Sequence, residues 1–370
     1  MEHRFCIIGG GTSGHINPAL AIASILKDGY EKKGDTCRFI FAGRKAGLEG
    51  ELIPAAGYDF IDIEAKPFPS RPSVMLVKAQ AALIRGKKQC IGILNTFKPE
   101  CMICTGGYVS APMILAAKNL GIPFMVHEAN AFPGRANRYL SRGAALIMTG
   151  FPDQEKAFSG AKKVVYTGNP VRKIMFGNTY EGSREKLGIP EGQKFVFAMG
   201  GSLGSATITG FILSCARKPE FKDVKFVLSC GKHNSVHITD EDRNLPNLEI
   251  KEYITDTNLY LCGSDVAILR AGAVTCAELT ATGACAIMVP YPHAAHDHQT
   301  YNARSIAEKG GGVLVTDAEC ESGKILETLT ELLSDDDRRL KMRENALKLA
   351  IKDTDERIFD AVTSALKRQD

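Results

Sequence analysis

No apolar run in this 370-residue chain approaches the roughly 18 residues of a membrane span. After Arg4 only Phe5-Cys6-Ile7-Ile8 precede a glycine run, too short for a signal-peptide core, and no cleavage pattern follows. The chain is therefore expected in the cytoplasm. Short tandem repeats are absent, and 44% apolar with 24% charged residues is an ordinary globular mix. Disorder, solenoids and fibres are thereby excluded. A net charge of +4 is too weak to imply a nucleic-acid partner. One absence is local: no Asp or Glu occurs from Ala65 to Pro99, while Lys66, Arg71, Lys78, Arg85, Lys87, Lys88 and Lys98 do. That stretch carries +7 and the remainder of the chain −3. The eleven cysteines include a single CxxC, Cys101-Met-Ile-Cys104, with no second pair and in a strand-like run. Buried packing in a reducing compartment suits them better than zinc or redox chemistry.

What is present is an alternation of short apolar runs with helical patterns, which predicts α/β architecture with doubly wound parallel sheets. Strands are expected at Phe5–Ile8, Arg38–Ala42, Cys101–Thr105, Pro123–His127, Leu146–Thr149 and Val164–Tyr166. A second set falls at Lys194–Met199, Val224–Ser229, Leu248–Glu252, Val266–Leu269, Cys285–Val289 and Val313–Val315. Two segments repeat one design: Phe5 to Gly14 and Phe195 to Gly204 each run from a strand into a glycine-rich turn and a helix. Two Rossmann-like domains facing across a cleft are expected, about 1–168 and 169–352. The breaker cluster Thr167-Gly-Asn-Pro170 lies near their boundary. The last helical stretch, about 353–370, is expected to cross back to the first domain.

Gly9-x-Gly11-x-x-Gly14 matches the dinucleotide fingerprint, a weak signal alone. The second strand ends Phe41-Ala-Gly-Arg44-Lys45 and lacks the acid that would hold an NAD ribose. Arg44 leaves an NADP variant open, but a dehydrogenase has no need of the second loop at Gly200–Gly204. Both loops instead suit phosphates placed at helix N-termini.

Seven motifs then follow in order. They are Gly10-Gly-Thr-Ser-Gly-His15, Gly106-Gly-Tyr-Val-Ser110, His127-Glu-Ala-Asn130, Gly168-Asn-Pro-Val-Arg172, Gly200-Gly-Ser-Leu-Gly204, Arg270-Ala-Gly-Ala-Val-Thr-Cys-Ala-Glu278 and His298-Gln-Thr-Tyr-Asn-Ala303. In this order they resemble the MurG family of peptidoglycan N-acetylglucosaminyltransferases over nearly the whole chain. Ser13, Ala129, Leu203 and Ala271 depart from the commoner family pattern of glycine, glutamine, glutamine and serine. The resemblance implies a GT-B fold and inverting transfer of GlcNAc from UDP-GlcNAc to the MurNAc 4-hydroxyl of undecaprenyl-pyrophosphoryl-MurNAc-pentapeptide. It also implies a part in peptidoglycan synthesis, and through it in cell shape and division. No cofactor and no metal are implied.

The resemblance places Glu278 on the donor's ribose hydroxyls, Ile254 by the uracil, and the backbone of Ala273, Val274, Thr275, Cys276 and Ala277 by the diphosphate. Arg172 and Ser202 are phosphate candidates, and Gln299 and Asn130 suit sugar hydroxyls because an amide both donates and accepts. Thr12, Ser13 and Gly14 are implied substrate contacts in the first loop. His15, just ahead of Pro18, has the chemistry of a general base for the acceptor hydroxyl. It stands beside three alternatives: Glu128 as the base, His15 as a ligand of the acceptor's pyrophosphate, and His15 as a helix cap. The cluster His293-x-x-His296-Asp-His298 has metal-like spacing but reads as the loop before Gln299.

Two functions compete with this reading, another GT-B UDP-sugar:lipid transferase and a UDP-GlcNAc 2-epimerase. The 65–99 stretch, helix-like over Ser73–Asn95 and partly apolar (Val74, Met75, Leu76, Leu83, Ile84), is either a helix with a solvated basic face or a face that rests on anionic lipid. The second option suits a lipid-linked acceptor and a peripheral enzyme on the cytoplasmic face of the membrane.

Overall fold

The computed structural model describes residues 1–69, 71, 73–201, 203–232 and 238–367, apart from the side chains of 135 and 136. The chain divides into two compact units, Met1–Pro170 with Asp353–Asp370, and Val171–Lys352. Unit 1 contains β1 (Glu2–Gly9), β2 (Thr36–Gly43), β3 (Asp59–Asp62), β4 (Cys101–Gly106), β5 (Phe124–Glu128), β6 (Leu146–Thr149) and β7 (Val164–Tyr166). They form one parallel sheet in the order β3-β2-β1-β4-β5-β6-β7. Unit 2 contains β8 (Phe195–Met199), β9 (Lys225–Ser229), β10 (Leu248–Lys251), β11 (Val266–Leu269), β12 (Ala286–Met288) and β13 (Val313–Leu314). Its parallel sheet runs β10-β9-β8-β11-β12-β13. Each sheet thus reverses its winding beside its first strand, between β1 and β4 and between β8 and β11. In doubly wound sheets the carboxyl ends of the strands at this reversal form the ligand crevice.

Two-residue periodicity explains the core. Phe5 and Ile7 enter one apolar cluster with Ile22, Leu26 and Phe41, while Cys6 and Ile8 enter the other with Met102, Cys104 and Met113. The same alternation separates the CxxC pair. Cys101 belongs to the first cluster and Cys104 to the second, so the two thiols lie on opposite faces of β4 and cannot share a metal. The C-terminal helix Thr354–Leu366 covers the first cluster with Ile358, Phe359 and Val362. The Phe359 ring meets Tyr30 edge-on at 5.2 Å and leaves no room for a side chain at Gly29, where a Cβ would come within 2.3 Å of it.

Two expectations need correction. The sequence reading contains no β3. This edge strand, Asp-Phe-Ile-Asp, has an acid at each end and only half-buried apolar positions, so it lacks the run that marks a buried parallel strand. The helix after the first glycine loop starts at Ser13, not at Pro18. Pro18 is its sixth residue and gives up one helical hydrogen bond, and His15 consequently lies inside the first turn.

Candidate functional site

Four motifs leave β1, β4, β8 and β11, the strands at the two reversals, and the other three follow β5, β7 and β12. In unit 1, β1 gives way at Gly9 to a turn in which Gly11 has φ 84°, a left-handed conformation that favours glycine. Ser13 does not share it, which is why a side chain is tolerated there. The helix Ser13–Glu31 begins with no side-chain cap from Thr12, so its first N–H groups, including those of Ser13 and Gly14, point out of the turn.

His15 is held from two directions by Thr105, the penultimate residue of β4. Thr105 Oγ1 donates to the His15 carbonyl (2.7 Å), and the Thr105 carbonyl lies 3.0 Å from His15 Nδ1. A carbonyl only accepts, so Nδ1 carries the hydrogen. Gly106 (φ 113°) makes this packing possible, because a Cβ there would lie 2.7 Å from His15 Nδ1. The cap position of this helix is Thr12, and His15 is its third residue.

Glu128, the last residue of β5, is buried and surrounded by donors. Oε1 accepts from the Asn130 backbone (3.1 Å) and side chain (3.2 Å), and Oε2 from Asn137 Nδ2 (2.7 Å) and Gly134 N (3.4 Å). Four donors match the four lone-pair positions of a carboxylate. Glu128 therefore organises the segment from Asn130 to Asn137 and is badly placed to take a substrate proton. Asn130 is tied further by Gln154, whose Nε2 donates to its carbonyl (2.7 Å). His127 is fully buried, and burial lowers its pKa to about 4, so it is neutral.

In unit 2 the helix Ala273–Thr282 follows β11 directly, with Gly272 at its cap position and no side-chain cap. Its opening N–H groups at Ala273, Val274 and Thr275 precede the first intrahelical bond, Cys276 N to the Gly272 carbonyl (2.9 Å). Cys276 offers no donor to a ligand. Its N–H is committed, its side chain is buried, and burial pushes its thiol up to about 12. Val274, Thr275, Ala277 and Glu278 occupy the half-buried face of this helix. No described residue hydrogen-bonds or ion-pairs the Glu278 carboxylate. Burial pushes its pKa up to about 7, and the Arg172 guanidinium pulls the other way.

Arg172 is exposed and forks onto the Thr255 carbonyl with both terminal nitrogens (3.2 Å each). Ile254, beside that carbonyl, is buried. Gln299 has its amide orientation fixed, because Oε1 accepts from Ala271 N (3.2 Å) and Tyr291 N (2.9 Å), which leaves Nε2 as the outward donor. In the second glycine loop Gly201 (φ 84°) and Gly204 (φ 81°) make the turn. Ser202 lies outside the described residues. Among the described residues no group of three or more His, Cys, Asp or Glu is placed to hold a metal. His298 Nδ1 instead bonds the Ala295 carbonyl (2.8 Å).

The expected substrate set is therefore divided: Thr12, Ser13, Gly14 and Asn130 stand in unit 1 with His15 and Glu128, and the rest in unit 2. Three residues at these strand ends are given no role in the sequence reading. Thr105, Asn137 and Glu49 serve unit 1. In unit 2 Arg270, which opens the sixth motif, holds the Val289 and Pro290 carbonyls (3.1 and 2.9 Å) and pairs with Asp317 (2.5 Å). Thr105 reaches His15 across 90 residues and Glu49 reaches Gly11 across 38, and no local pattern marks such a contact.

Residues 5–149 match the glycosyltransferase family 28 N-terminal domain, and residues 195–358 match the family's C-terminal domain. A protein of Acetivibrio thermocellus is 34% identical over 370 residues, covering 99% of each chain. One of Caldicellulosiruptor saccharolyticus is 36% identical over 345 residues, covering 92% of each. Both carry the name UDP-N-acetylglucosamine–N-acetylmuramyl-(pentapeptide) pyrophosphoryl-undecaprenol N-acetylglucosamine transferase. Among solved structures, MurG of Acinetobacter baumannii superposes with a TM-score of 0.75 at 23% identity, covering 98% of this chain and 100% of that one. UDP-GlcNAc 2-epimerase from Neisseria meningitidis does so with 0.64 at 15%, covering 98% and 100%. These two likenesses concern the fold, GT-B, which transferase and epimerase share. The sequence relatives separate them: with such identity along nearly its whole length, the chain belongs to the family of UDP-N-acetylglucosamine–N-acetylmuramyl-(pentapeptide) pyrophosphoryl-undecaprenol N-acetylglucosamine transferases.

Proposed function

We propose that this protein moves GlcNAc from UDP-GlcNAc to the MurNAc 4-hydroxyl of undecaprenyl-pyrophosphoryl-MurNAc-pentapeptide, with inversion, and that His15 is the general base. The observation that carries the choice of base is that Glu128 spends its lone pairs on four donors, whereas the His15–Thr105 contact holds the imidazole through Nδ1. As the acceptor oxygen bonds to the anomeric carbon, its proton passes to His15 Nε2 and the bond from that carbon to the diphosphate oxygen breaks. The leaving UDP carries the electron pair away. The N–H groups of Ala273, Val274 and Thr275 and the Arg172 guanidinium are suited to that charge. Glu278, whose carboxylate has no hydrogen-bonding or ion-pairing partner among the described residues, is suited to the ribose hydroxyls, and Gln299 Nε2 to a sugar hydroxyl.

The acceptor's lipid calls for a membrane surface, and the helix Val74–Phe97 is the candidate. Val74, Met75, Val77 and Ile84 are each 65–73% exposed on it, a concentration of bare apolar side chains unusual for a solvated helix. Lys78 and Lys88 are exposed beside them. The structure refines the charge. Glu64, just ahead of the acid-free stretch, takes Arg85 with two hydrogen bonds (2.7 and 2.6 Å), and Lys87 Nζ donates to Asn119 (3.1 Å). Among the described residues no helix is long and apolar enough to cross a membrane. Surface docking at the cytoplasmic face is the proposed mode. All eleven cysteines are unpaired, as suits a reducing compartment.

His15→Ala is expected to lower kcat by about 10²–10⁴ with UDP affinity unchanged, the range for loss of a general base. Steady-state kinetics with a UDP titration reads both, and unaltered turnover rules His15 out. Glu278 gives a pH test. A carboxyl raised from its ordinary 4.5 to about 7 lets the folded protein keep a proton that the unfolded chain has lost. Raising the pH through that window therefore weakens the ligand-free fold. Glu278→Gln is expected to raise the ligand-free Tm at pH 8 but not at pH 4, and to weaken UDP binding roughly 10-fold. A variant with unchanged Tm and affinity contradicts both parts. Binding to anionic vesicles is expected to weaken with added salt and with Lys78→Glu plus Lys88→Glu, each cation contributing about 1 kcal/mol. Equal binding to neutral vesicles contradicts the electrostatic part.

A further inference from the structure

The first glycine loop carries a dinucleotide fingerprint, yet an anion of the protein's own already stands behind it. Glu49, in the short helix Glu49–Ala55, is fully buried. Its Oε2 accepts from Gly11 N (3.0 Å) and its Oε1 from Arg44 N (3.2 Å), the backbone at the end of β2. A buried carboxylate is costly unless it is hydrogen-bonded, and here two backbone N–H groups satisfy it. Three glycines are fitted to it. A Cβ at Gly10 would lie 2.6 Å from its carboxyl carbon, one at Gly43 2.7 Å from its Cγ, and one at Gly47 2.6 Å from Oε2. The Arg44 side chain continues the network to Tyr108 in the second glycine pair, with Nη1 3.3 Å from the hydroxyl. The Tyr108 ring in turn stands 3.4 Å from where a Gly11 Cβ would be.

We infer that Glu49 is the positioning residue of this loop, taking the role that a bound phosphate plays in nucleotide-binding turns and holding Gly11 so that His15 is set before any substrate arrives. The loop is gripped on both sides. Glu49 holds it at Gly11, and Thr105 holds it at His15, four residues later. A left-handed glycine whose N–H loses its partner is free to relax, and the movement is carried to the imidazole through the first helical turn. A displacement near 1 Å at a reacting group costs about 100-fold in rate.

The inference rests on His15 as the base, and the test keeps the two apart. Glu49→Gln retains the shape but turns an amide N–H₂ toward one of the two backbone N–H groups. Gly10→Ala keeps the carboxylate but pushes against it. Each is expected to lower kcat about 10- to 100-fold, with the Kd for UDP, which binds through unit 2 residues, within twofold of the parent. Because both act through one contact, the double variant is expected to be no slower than the worse single one. Turnover within twofold of the parent for either variant overturns the inference, as does an equal loss of UDP affinity or additive losses in the double variant. If Glu49→Gln does not fold, Gly10→Ala alone decides by the same kcat criterion. His15→Ala run alongside distinguishes the failures. If it retains turnover, the reading of His15 is wrong. If it alone loses turnover, only the role of Glu49 is wrong.

Discussion

Backbone N–H groups left over where parallel strands end must find acceptors, and this protein supplies them from side-chain oxygens. Glu49 pairs Gly11 and Arg44, Glu128 pairs Asn130 and Gly134, and Gln299 pairs Ala271 and Tyr291. Each contact spans a turn that leaves a sheet and fixes it without a ligand. What remains for substrates is then defined by subtraction. The open donors are the first N–H groups of the helices at Ser13 and Ala273, together with Gln299 Nε2. Catalysis by preorganised dipoles requires that such donors need no rearrangement when charge develops, and side-chain acceptors behind the turns provide this.

The two carboxylates that matter most are treated in opposite ways. Glu128 is buried and fully hydrogen-bonded, which makes it an internal strut. Glu278 has no hydrogen-bonding or ion-pairing partner among the described residues, and burial raises its pKa against the pull of Arg172. An unpaired carboxylate held at such a cost marks a functional position more sharply than composition does. The same logic divides the histidines. His127 is locked neutral in the core, and His15 at the end of the loop is held through Nδ1 by the Thr105 carbonyl.

Much of this was legible in the sequence because it is local. Beta-branched runs gave the strands that carry the reversals, and four of the seven motifs sit at their carboxyl ends because glycine turns and helix starts are written in consecutive residues. The duplication of Phe5–Gly14 at Phe195–Gly204 was visible for the same reason. What stayed hidden is nonlocal. Glu49 reaches Gly11 across 38 residues, and Thr105 reaches His15 across 90. β3 escaped because an edge strand flanked by acids has no buried run to display. The +7 stretch was countable, but its outward charge was not, since Glu64 outside it neutralises Arg85 and the bare apolar stripe emerges only once the helix is formed.

The account stands on group transfer that requires the acceptor. The most direct measurement is release of UDP from UDP-GlcNAc with and without undecaprenyl-pyrophosphoryl-MurNAc-pentapeptide, with analysis of the sugar product. The account predicts that UDP appears only with the acceptor, in step with one new β-linked GlcNAc per UDP. Formation of free UDP or an epimerised sugar at an equal rate without the acceptor would contradict it.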